Sequence, residues 1–387
     1  MRVYILQYFA FVFGFLISVF VRLELIVSLL PAIALLLAII AIGRLREVIE
    51  REKIELNKVS PRKVSLDKLR IVFTVKNAGE YFRRNLEYYL GIGLNIAVFD
   101  DFSNDGTWEH LKELAKRYGD KLSILRLPRD DRVIHPKAFA IEYAVKYYSE
   151  PYLLILDADT MVDKKTILKA MTLFERYDVI SLTRRNPDKR IAIKIADTEE
   201  LTNSCLIATG ISKNMFFGSG FFFKRKLFES LTFPDGIFSE DSEFGFQSIK
   251  AGARRIQLLT LEAKEEAPKS IMRLFKQRFK WLFAGSNFNF TRYPVSSLIA
   301  TTLFSFIALG TFMGNPVSLS LLGSFGLWVI LLSFAAQRAR RISFFSAFVR
   351  SLVFVTFYIS MMVWVYSFVV VAHPVLLKRF RFAPTVH

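Results

Sequence analysis

Five long apolar segments divide between the two ends of the chain and leave a charged segment in the middle. Two precede the charged segment, at residues 4–20 and 25–43, and three follow it, at residues 296–313, 317–336 and 344–372. Each approaches or exceeds the roughly 20 residues with which a helix crosses the hydrocarbon of a bilayer. Together with a hydrophobic fraction of 52%, high for a soluble chain, they predict a domain held at a membrane by about five spans.

Charged residues beside the apolar segments predict the orientation of the chain. GRLREVIEREK and QRARR, after the second and fourth apolar segments, are strongly basic, so they and the middle domain are expected on the cytoplasmic side. KRFRF after the fifth segment violates the same rule, so the number of spans and the side of the C-terminus stay open. Anionic membrane lipids explain the net charge of +18 better than nucleic acid, for which no binding motif is present.

The middle of the chain, from about Leu69, alternates short apolar strands with amphipathic helices. The predicted strands include LRIVFTV, LNIAVFD, LSILRL and YLLILD. This alternation is typical of an α/β domain with a parallel sheet, whose ligands bind beyond the carboxyl ends of the strands. The first strand ends in TVKNAGE, which contains Thr74, Asn77 and Glu80. A single cysteine, Cys205, and four scattered histidines argue against a disulfide framework or a zinc cluster.

Two aspartates stand at the end of a strand that we expect to be buried, in LLILDADTMVD. Residues two apart in an extended strand point the same way, so Asp157 and Asp159 can face one ligand. Two carboxylates together suit Mg²⁺ or Mn²⁺ that is also bound to substrate phosphates. The alternative is that Asp159 or Asp163 only caps the helix that begins near Lys164.

A second acidic pair, Asp100 and Asp101, ends a strand in FDDFSNDGT. Adjacent like charges at the mouth of a strand repel each other unless something uses them. Such carboxylates can accept hydrogen bonds from the N–H of a uracil ring or from ribose hydroxyls. The alternative is a simple turn, because Asn, Asp, Ser and Gly favour turns and Thr107 can cap the next helix.

Two further segments contain candidate functional residues. In FSEDSEFGF, Glu240, Asp241 and Glu243 open a helix, where they either complement the helix dipole or supply a carboxylate that removes a proton from an attacking hydroxyl. In LFKQRFKWLFAG, cations and Trp281 lie just before the third apolar segment. This segment is either an interfacial amphipathic helix or a site where Trp281 stacks on a sugar and the cations meet a pyrophosphate. The two interpretations do not exclude each other.

In this order, these segments resemble the membrane-bound glycosyltransferases of family 2, the group that contains cellulose, chitin and hyaluronan synthases. The family pattern is an acid pair, then D-x-D, then Thr-Glu-Asp, then Gln-x-x-Arg-Trp. The corresponding residues here are Asp100-Asp101, Asp157-x-Asp159, Ser239-Glu240-Asp241 and Gln277-x-x-Lys280-Trp281. The resemblance runs from about residue 71 to residue 281. It implies an α/β fold, a GT-A-type (Rossmann-like) nucleotide-sugar domain inserted between transmembrane α-helices.

The resemblance also implies how a UDP-sugar donor would be bound. Asp100 or Asp101 would hold uracil and ribose, and Asp157 with Asp159 would hold Mg²⁺ or Mn²⁺ on the diphosphate. HPKAFAIEYAV resembles the Gly-Lys-Ala stretch of the family, which would put Lys137 on the diphosphate, although His-Pro stands where Gly is usual. The other candidates for the donor site are Thr74, Asn77, Glu80, Gln277, Arg278, Lys280 and Trp281.

By the same resemblance, Asp241 would be the general base and Glu240 would support it. The glycine-bearing turn in FFGSGFFFKRKLF would cradle the acceptor, through Gly218, Ser219 and Gly220, and Trp281 would line the same site. A plain turn between apolar strands is the alternative for this segment. Lys280 departs from the family pattern, because Lys and Arg are not equivalent at a phosphate.

The resemblance predicts an integral protein of the cell membrane whose cytoplasmic domain transfers a sugar from a UDP-sugar with inversion of configuration. Processive polysaccharide synthesis with export is the leading expectation, and transfer of one sugar to a lipid acceptor is the alternative. A membrane protein that only binds a ligand is the third interpretation, and the intact acids argue against it. The sequence does not indicate which sugar is transferred.

The expected organisation has five parts. Residues 1–46 form two spans, 47–68 a linker, 69–268 the catalytic domain, 269–292 interfacial amphipathic helices, and 293–387 about three spans. Five spans make a small channel, so an accessory subunit or a homo-oligomer is an expected partner, besides the nucleotide sugar, the acceptor and membrane lipids.

Overall fold

The computed structural model describes residues 9–14, 16–17, 24–58, 64–128, 135–186, 188–212, 215–235, 239–266 and 268–361. The chain divides into two compact units. The sheet unit consists of Glu47–Pro187 and Asn203–Glu266, and the apolar-helix unit consists of Met1–Arg46, Asp188–Thr202 and Ala267–His387. The second unit therefore takes residues 188–202 from the segment that we predicted as part of the catalytic domain.

One eight-stranded sheet forms the centre of the sheet unit, with the strand order β3-β2-β1-β4-β7-β6-β8-β5. The strands are β1 Leu69–Val75, β2 Asn95–Asp100, β3 Leu122–Arg126, β4 Tyr152–Asp157, β5 Thr160–Met161, β6 Val179–Arg185, β7 Phe221–Lys224 and β8 Arg255–Glu265. β1 to β4 are parallel to their neighbours among themselves, as predicted. The parallel pattern ends at β7, which runs antiparallel to both β4 and β6, so the whole sheet is mixed.

Alternating side chains of the strands pack against helices on the two faces of the sheet. Ile71, Phe73 and Val75 of β1 belong to one buried cluster, with Phe82 and Leu86 of the helix Gly79–Gly91. Val72 belongs to a second cluster, with Ala97 of β2 and with residues 140, 141 and 144 of the helix Pro136–Tyr147. A period of two along each strand produces this separation. The other helices of the unit are Thr107–Tyr118, Lys164–Thr172 and Glu240–Lys250.

Parallel register brings the polar ends of three strands to one edge of the sheet. Thr74 of β1 lies opposite Asp157 of β4, and Val75 lies opposite Asp100 of β2. The residues that follow these strands therefore meet at the carboxyl edge, where α/β sheets bind their ligands.

The predicted linker 47–68 is helical as far as Lys58, because the helix Glu24–Lys58 continues through residue 46. Its last part belongs to the sheet unit, where Glu52 is almost fully buried. The Glu52 carboxylate accepts hydrogen bonds from the backbone N–H groups of Leu259 and Thr260, both at 2.8 Å. These donors lie where the pairing of β6 with β8 shifts register, so Glu52 satisfies backbone groups that the bulge frees.

Three helices among the described residues are long and apolar enough to cross a membrane: Leu29–Lys58, Pro316–Ala339 and Phe344–Met361. The apolar segment 296–313 forms the helix Pro294–Phe312, of which Thr302–Phe312 is a shorter apolar piece. Most of segment 4–20, and segment 344–372 beyond residue 361, lie outside the described residues. The count of five spans therefore stays a prediction. The apolar-helix unit also contains the helix Ile271–Arg292 and the first part of the helix Ile191–Ala208.

Candidate active site

The D-x-D segment lies at the carboxyl end of β4, and Asp159 is its buried member. The helix Lys164–Thr172 is capped by Asp163, whose carboxylate accepts a hydrogen bond from the N–H of Thr166 at 2.9 Å. Asp159 is therefore not the cap of that helix. Burial, and next the charge of Asp157, raise the pKa of the Asp159 carboxyl to about 7. A buried acid beside a second acid is suited to binding a cation.

Lys137 connects the D-x-D segment to two other parts of the site. It lies in the first turn of the helix Pro136–Tyr147, and its side chain is 13% exposed. Nζ forms an ion pair with Asp157, lies 3.4 Å from a carboxylate oxygen of Glu240, and donates a hydrogen bond to the carbonyl of Gly218 at 2.9 Å. Burial opposes its charge, but the carboxylates of Asp157 and Glu240 outweigh burial and raise the pKa of Lys137.

Glu240 and Asp241 open the helix Glu240–Lys250 and differ in their surroundings. Glu240 faces Lys137 and also His135, whose Nε2 lies 3.3 Å from its carboxylate. Burial raises the pKa of Glu240, but the neighbouring His135 and Lys137 outweigh it, so the pKa is lowered. Burial, and then the charge of Glu240, raise the pKa of Asp241. The surroundings therefore shift the pKa values of the two acids in opposite directions, downward for Glu240 and upward for Asp241.

The oxygen atoms of Asp241 are also unequal. Oδ1 accepts hydrogen bonds from the hydroxyl of Ser239 at 2.6 Å and from the N–H of Ser242 at 2.7 Å. Oδ2 faces Gly218, because a Cβ atom built on that glycine would lie 3.3 Å from Oδ2 and 3.2 Å from the Cβ of Asp241. Any side chain at residue 218 would therefore crowd Oδ2, and glycine keeps this close approach free of a methyl group.

The predicted acceptor turn, residues 218–220, packs against the D-x-D segment. The hydroxyl of Ser219 accepts a hydrogen bond from the N–H of Asp157 at 2.9 Å and donates one to the hydroxyl of Thr160 at 3.0 Å. Gly220 has a φ of +74°, which favours glycine, and its N–H donates to the carbonyl of Ile155 at 3.0 Å. Ser219 and Gly220 thus hold the turn in place, while acceptor binding by residues 218–220 stays a prediction.

The adjacent acids Asp100 and Asp101 each pair with a different basic side chain. Asp100 is fully buried, and its carboxylate accepts a hydrogen bond from the guanidinium of Arg126 at 3.0 Å. Asp101 is 28% exposed and pairs with Lys76 at 3.1 Å. The repulsion that suggested a ligand in the sequence is therefore relieved by the protein itself. Asp101 is the member of the pair that a ligand can reach.

The three candidates after β1 have different surroundings. The Thr74 hydroxyl is buried and, within the described part of the chain, has no hydrogen-bond partner, so it can receive a ligand. Asn77, with a φ of +53°, ties two loops together: its N–H donates to the hydroxyl of Ser103, and its side chain accepts from the N–H of Asn104, both at 2.9 Å. Glu80 is exposed, and only a 4.0 Å contact joins it to Arg84.

Gln277, Arg278, Lys280 and Trp281 belong to the helix Ile271–Arg292 of the apolar-helix unit. Arg278 is buried, donates a hydrogen bond to Glu199 at 2.7 Å, and lies with its guanidinium 4.1 Å from the centre of the Trp281 ring. Gln277 accepts a hydrogen bond from Arg278 at 2.6 Å. The guanidinium therefore has partners within the protein, and donor binding by Arg278 stays a prediction.

Sequence reasoning missed the residues that neutralise or orient the motif acids. They include Arg126 at Asp100, His135 at Glu240, and Glu199 at Arg278. No local spacing marks these residues, because each partner is distant in the chain. His135 had only been noted as a departure from the family pattern.

The two carboxylates of the D-x-D segment fit a divalent cation that is also bound to a substrate. Among the residues that the structure describes, no group of three or more His, Cys, Asp or Glu side chains could hold a metal ion. Two carboxylates, of which Asp159 carries a raised pKa, are what Mg²⁺ or Mn²⁺ uses when phosphate oxygens complete its shell. Asp157 and Asp159 thus suit a cation that arrives with a diphosphate.

Comparison with protein families identifies the class of this chain. Residues 152–380 match the family model described as glycosyl transferase family group 2, and residues 70–232 match glycosyl transferase family 2. The first match covers more than half of the chain, so the chain belongs to the family 2 glycosyltransferases. The predicted α/β fold of GT-A type is confirmed by the family match and the sheet, and apolar helices lie on both sides of the domain in the sequence.

Solved structures similar to this chain include three glycosyltransferases. The mannosyltransferase PcManGT from Pyrobaculum calidifontis, in complex with GDP-Man and Mn²⁺, is 19% identical, with a TM-score of 0.48 over 86% of this chain and 99% of that chain. TarS from S. aureus with UDP-GlcNAc is 14% identical, with a TM-score of 0.39 over 76% and 90%. Glucosyl-3-phosphoglycerate synthase from Mycobacterium tuberculosis with Mn²⁺ and UDP is 14% identical, with a TM-score of 0.41 over 57% and 78%. Likeness at this level carries no information on the substrate.

Proposed function

We propose that this glycosyltransferase moves a sugar from a UDP-sugar to an acceptor hydroxyl, in a single displacement that inverts the anomeric configuration and depends on Mg²⁺ or Mn²⁺. The observation that carries the proposal is the unequal acid pair Glu240 and Asp241, with pKa values shifted in opposite directions at the carboxyl edge of the sheet. Pairs of acids whose pKa values are shifted apart are typical of sites that perform acid–base chemistry.

In this proposal the diphosphate of the donor lies against Asp157, Asp159 and Lys137. The metal ion, when bound by the two aspartates, supplies positive charge that stabilises the departing UDP. Lys137 adds a second positive charge, and its three contacts orient it toward Asp157 and Glu240. We assign the nucleoside to Asp101 and the Thr74 hydroxyl, and the support is that Asp101 is partly exposed and the Thr74 hydroxyl has no hydrogen-bond partner in the described structure.

Asp241 then acts as the general base through Oδ2. Oδ1 is held by Ser239 and by the N–H of Ser242, which fixes the orientation of the carboxylate. Oδ2 lies on the side of Gly218, which has no side chain to cover it, and the acceptor hydroxyl approaches it there in this proposal. Transfer of the hydroxyl proton to Oδ2 generates the nucleophile, which attacks the anomeric carbon opposite the departing UDP.

The variant Asp241→Asn tests this assignment. Loss of a general base typically lowers a rate by about 10²- to 10⁴-fold, so UDP release should fall by that factor. UDP affinity, measured by titration calorimetry with Mn²⁺, should survive. Glu243→Gln is the matched control, since Glu243 lies in the same helical turn and accepts a hydrogen bond from Gln247 at 3.0 Å. Equal loss of transfer and of UDP binding in Asp241→Asn would contradict the base role.

For the acceptor, we propose a growing polysaccharide that is exported by the apolar helices, with the catalytic domain on the cytoplasmic side of the cell membrane. The three long apolar helices, and the Trp281 segment in the helix Ile271–Arg292, support this proposal. The size of the product distinguishes a polysaccharide acceptor from a lipid acceptor. Purified protein incubated with a panel of nucleotide sugars should release UDP together with long product. Short or lipid-linked product would instead favour single transfer to a lipid acceptor.

A further inference from the structure

The helix Ile191–Ala208 places a run of polar side chains inside the apolar-helix unit. Asp197, Thr198, Glu199 and Glu200 are all buried there. Asp197 lies 3.5 Å from the guanidinium of Arg340, and the Thr198 hydroxyl accepts a hydrogen bond from Gln337 at 2.6 Å. Buried charges among apolar helices are costly, so they are retained chiefly where they perform a task.

Glu199 faces Arg278 of the helix Ile271–Arg292. Nε of the guanidinium lies 2.7 Å from Glu199, and Nη2 lies 3.8 Å from Glu200. Both carboxylates and the guanidinium are less than 10% exposed, so water screens this cluster weakly. Glu199 is the closer carboxylate and forms the hydrogen bond.

Packing determines where Arg278 points. Leu274, one turn earlier on the same helix, is fully buried and belongs to a cluster with Ala192, Ile195 and Ala196 of the helix Ile191–Ala208. Residues four apart share a face of a helix, so Arg278 lies on the side that contacts Ile191–Ala208. The positive charge of a guanidinium buried on this side is balanced by the carboxylates of the helix Ile191–Ala208.

Trp281 lies one turn after Arg278 and contacts it directly. The guanidinium carbon lies 4.1 Å from the centre of the indole ring, a distance typical of a cation–π contact. Arg278 also donates a hydrogen bond to Gln277 at 2.6 Å. One planar cation therefore joins Glu199 to two residues of the Gln-x-x-Lys-Trp segment.

We infer that Glu199 is a positioning residue for Trp281: its carboxylate fixes the Arg278 guanidinium, and the guanidinium fixes the indole plane that receives the sugar of the acceptor. The inference rests on the proposed function at one point only, which is the assignment of Trp281 to acceptor binding. It assigns to Arg278 a role inside the protein in place of contact with the diphosphate.

The variant Glu199→Gln tests the inference with a measurement that does not require activity. Emission of Trp281 is isolated by replacing the three other tryptophans, Trp108, Trp328 and Trp364, with Phe. Without its carboxylate partner the guanidinium moves, so quenching of Trp281 by acrylamide should change. In the chain with all its tryptophans, the acceptor KM should rise roughly tenfold while the donor KM stays constant.

Two further variants separate positioning from a purely structural role. Arg278→Lys keeps the positive charge but loses the planar face, so it should reproduce the change at Trp281 and in the acceptor KM. Glu200→Gln alters the more distant carboxylate and should have a smaller effect on both. Thermal unfolding of every variant shows whether the fold survives.

Each result bears on the inference. Unchanged quenching of Trp281 in Glu199→Gln would overturn it, whatever the activity. A rise of donor and acceptor KM by the same factor, together with a lower unfolding temperature, would show a structural role only. If the unmodified chain transfers no sugar from any donor, the proposed function fails, and the fluorescence result still decides whether Glu199 orients Trp281.

Discussion

Lys137→Met removes the ammonium group that joins three segments of the site. Its buried nitrogen contacts Asp157, Glu240 and the carbonyl of Gly218, and methionine retains the apolar stem while losing the charge. Breaking a buried ion pair by removing one partner costs about 3–5 kcal/mol. Asp157 is 29% exposed, which places the expected loss near the lower end, about 3 kcal/mol. For a domain of 150–250 residues this corresponds to a fall in the unfolding temperature of roughly 6–12 °C.

The loss of stability should depend on pH. The pKa of Glu240 is below its ordinary value, so this group stabilises the fold above its unfolded pKa, and the contribution is lost as the pH falls through the folded value. Without Lys137, the pKa of Glu240 should rise, because His135 is then the charged neighbour that is left to oppose burial. The stabilisation that Glu240 gives above its unfolded pKa is then smaller, so the variant should lose less stability than the unmodified chain as the pH falls. The deficit of Lys137→Met should therefore be larger at pH 8 than at pH 5.

Differential scanning fluorimetry in detergent, combined with calorimetry of UDP binding, measures both effects. A charge-assisted hydrogen bond to the diphosphate contributes about 1.5–3 kcal/mol, so UDP affinity should fall roughly 10- to 100-fold. Arg70→Met is the matched control: it breaks the buried pair of Arg70 with Glu150, in which the atoms are 2.6 Å apart, near the other end of the strands. It should lower stability and leave UDP affinity unchanged. An unfolding temperature and UDP affinity in Lys137→Met equal to those of the unmodified chain would refute this reasoning.

Three other predictions follow from the same geometry. A metal binds the carboxylate form, and the pKa of Asp159 is about 7, so the affinity for Mn²⁺ measured by calorimetry should fall nearly tenfold per pH unit below pH 7. An affinity that does not change with pH would contradict metal binding by Asp159. Gly218→Ala places a methyl group 3.3 Å from Oδ2 of Asp241 and should slow transfer about tenfold or more with UDP binding retained, whereas Gly91→Ala, with no atom within 4 Å, should have no effect. Arg126→Met leaves the fully buried carboxylate of Asp100 without its partner and should lower the free energy of unfolding by about 1–3 kcal/mol, measured by thermal unfolding; an unchanged value would show that water replaces the guanidinium.

Local periodicity made much of the domain predictable. The alternation of apolar runs with helical segments identified β1 to β4 and the edge where their polar ends meet. Asp157 and Lys137 are 20 residues apart, and Glu240 is distant from both, yet the structure brings them together at that edge. Topology explains this success, because parallel strands joined by right-handed crossovers place their carboxyl ends side by side.

The surroundings of individual charges were not predictable in this way. Asp100 and Asp101 look alike in the sequence, but Arg126 buries and neutralises the first while Lys76 leaves the second accessible. Ser219, a candidate for the acceptor site, also forms a hydrogen bond with the D-x-D segment that its position in the sequence did not indicate. A spacing pattern identifies an acid, but the cation opposite it comes from another element of the fold.

The sequence by itself determined the class of protein, the order of the motif acids and the positions of the apolar segments. These properties depend on residue type and on periods of two or 3.6 residues, which are local. Only the tertiary structure decided how the surroundings of Glu240 and Asp241 differ, which aspartate of the Asp100–Asp101 pair is exposed, and that Glu199 contacts Arg278. The physical reason is that burial and charge pairing act between residues far apart in the chain, and the folded arrangement alone brings those residues within a few ångströms.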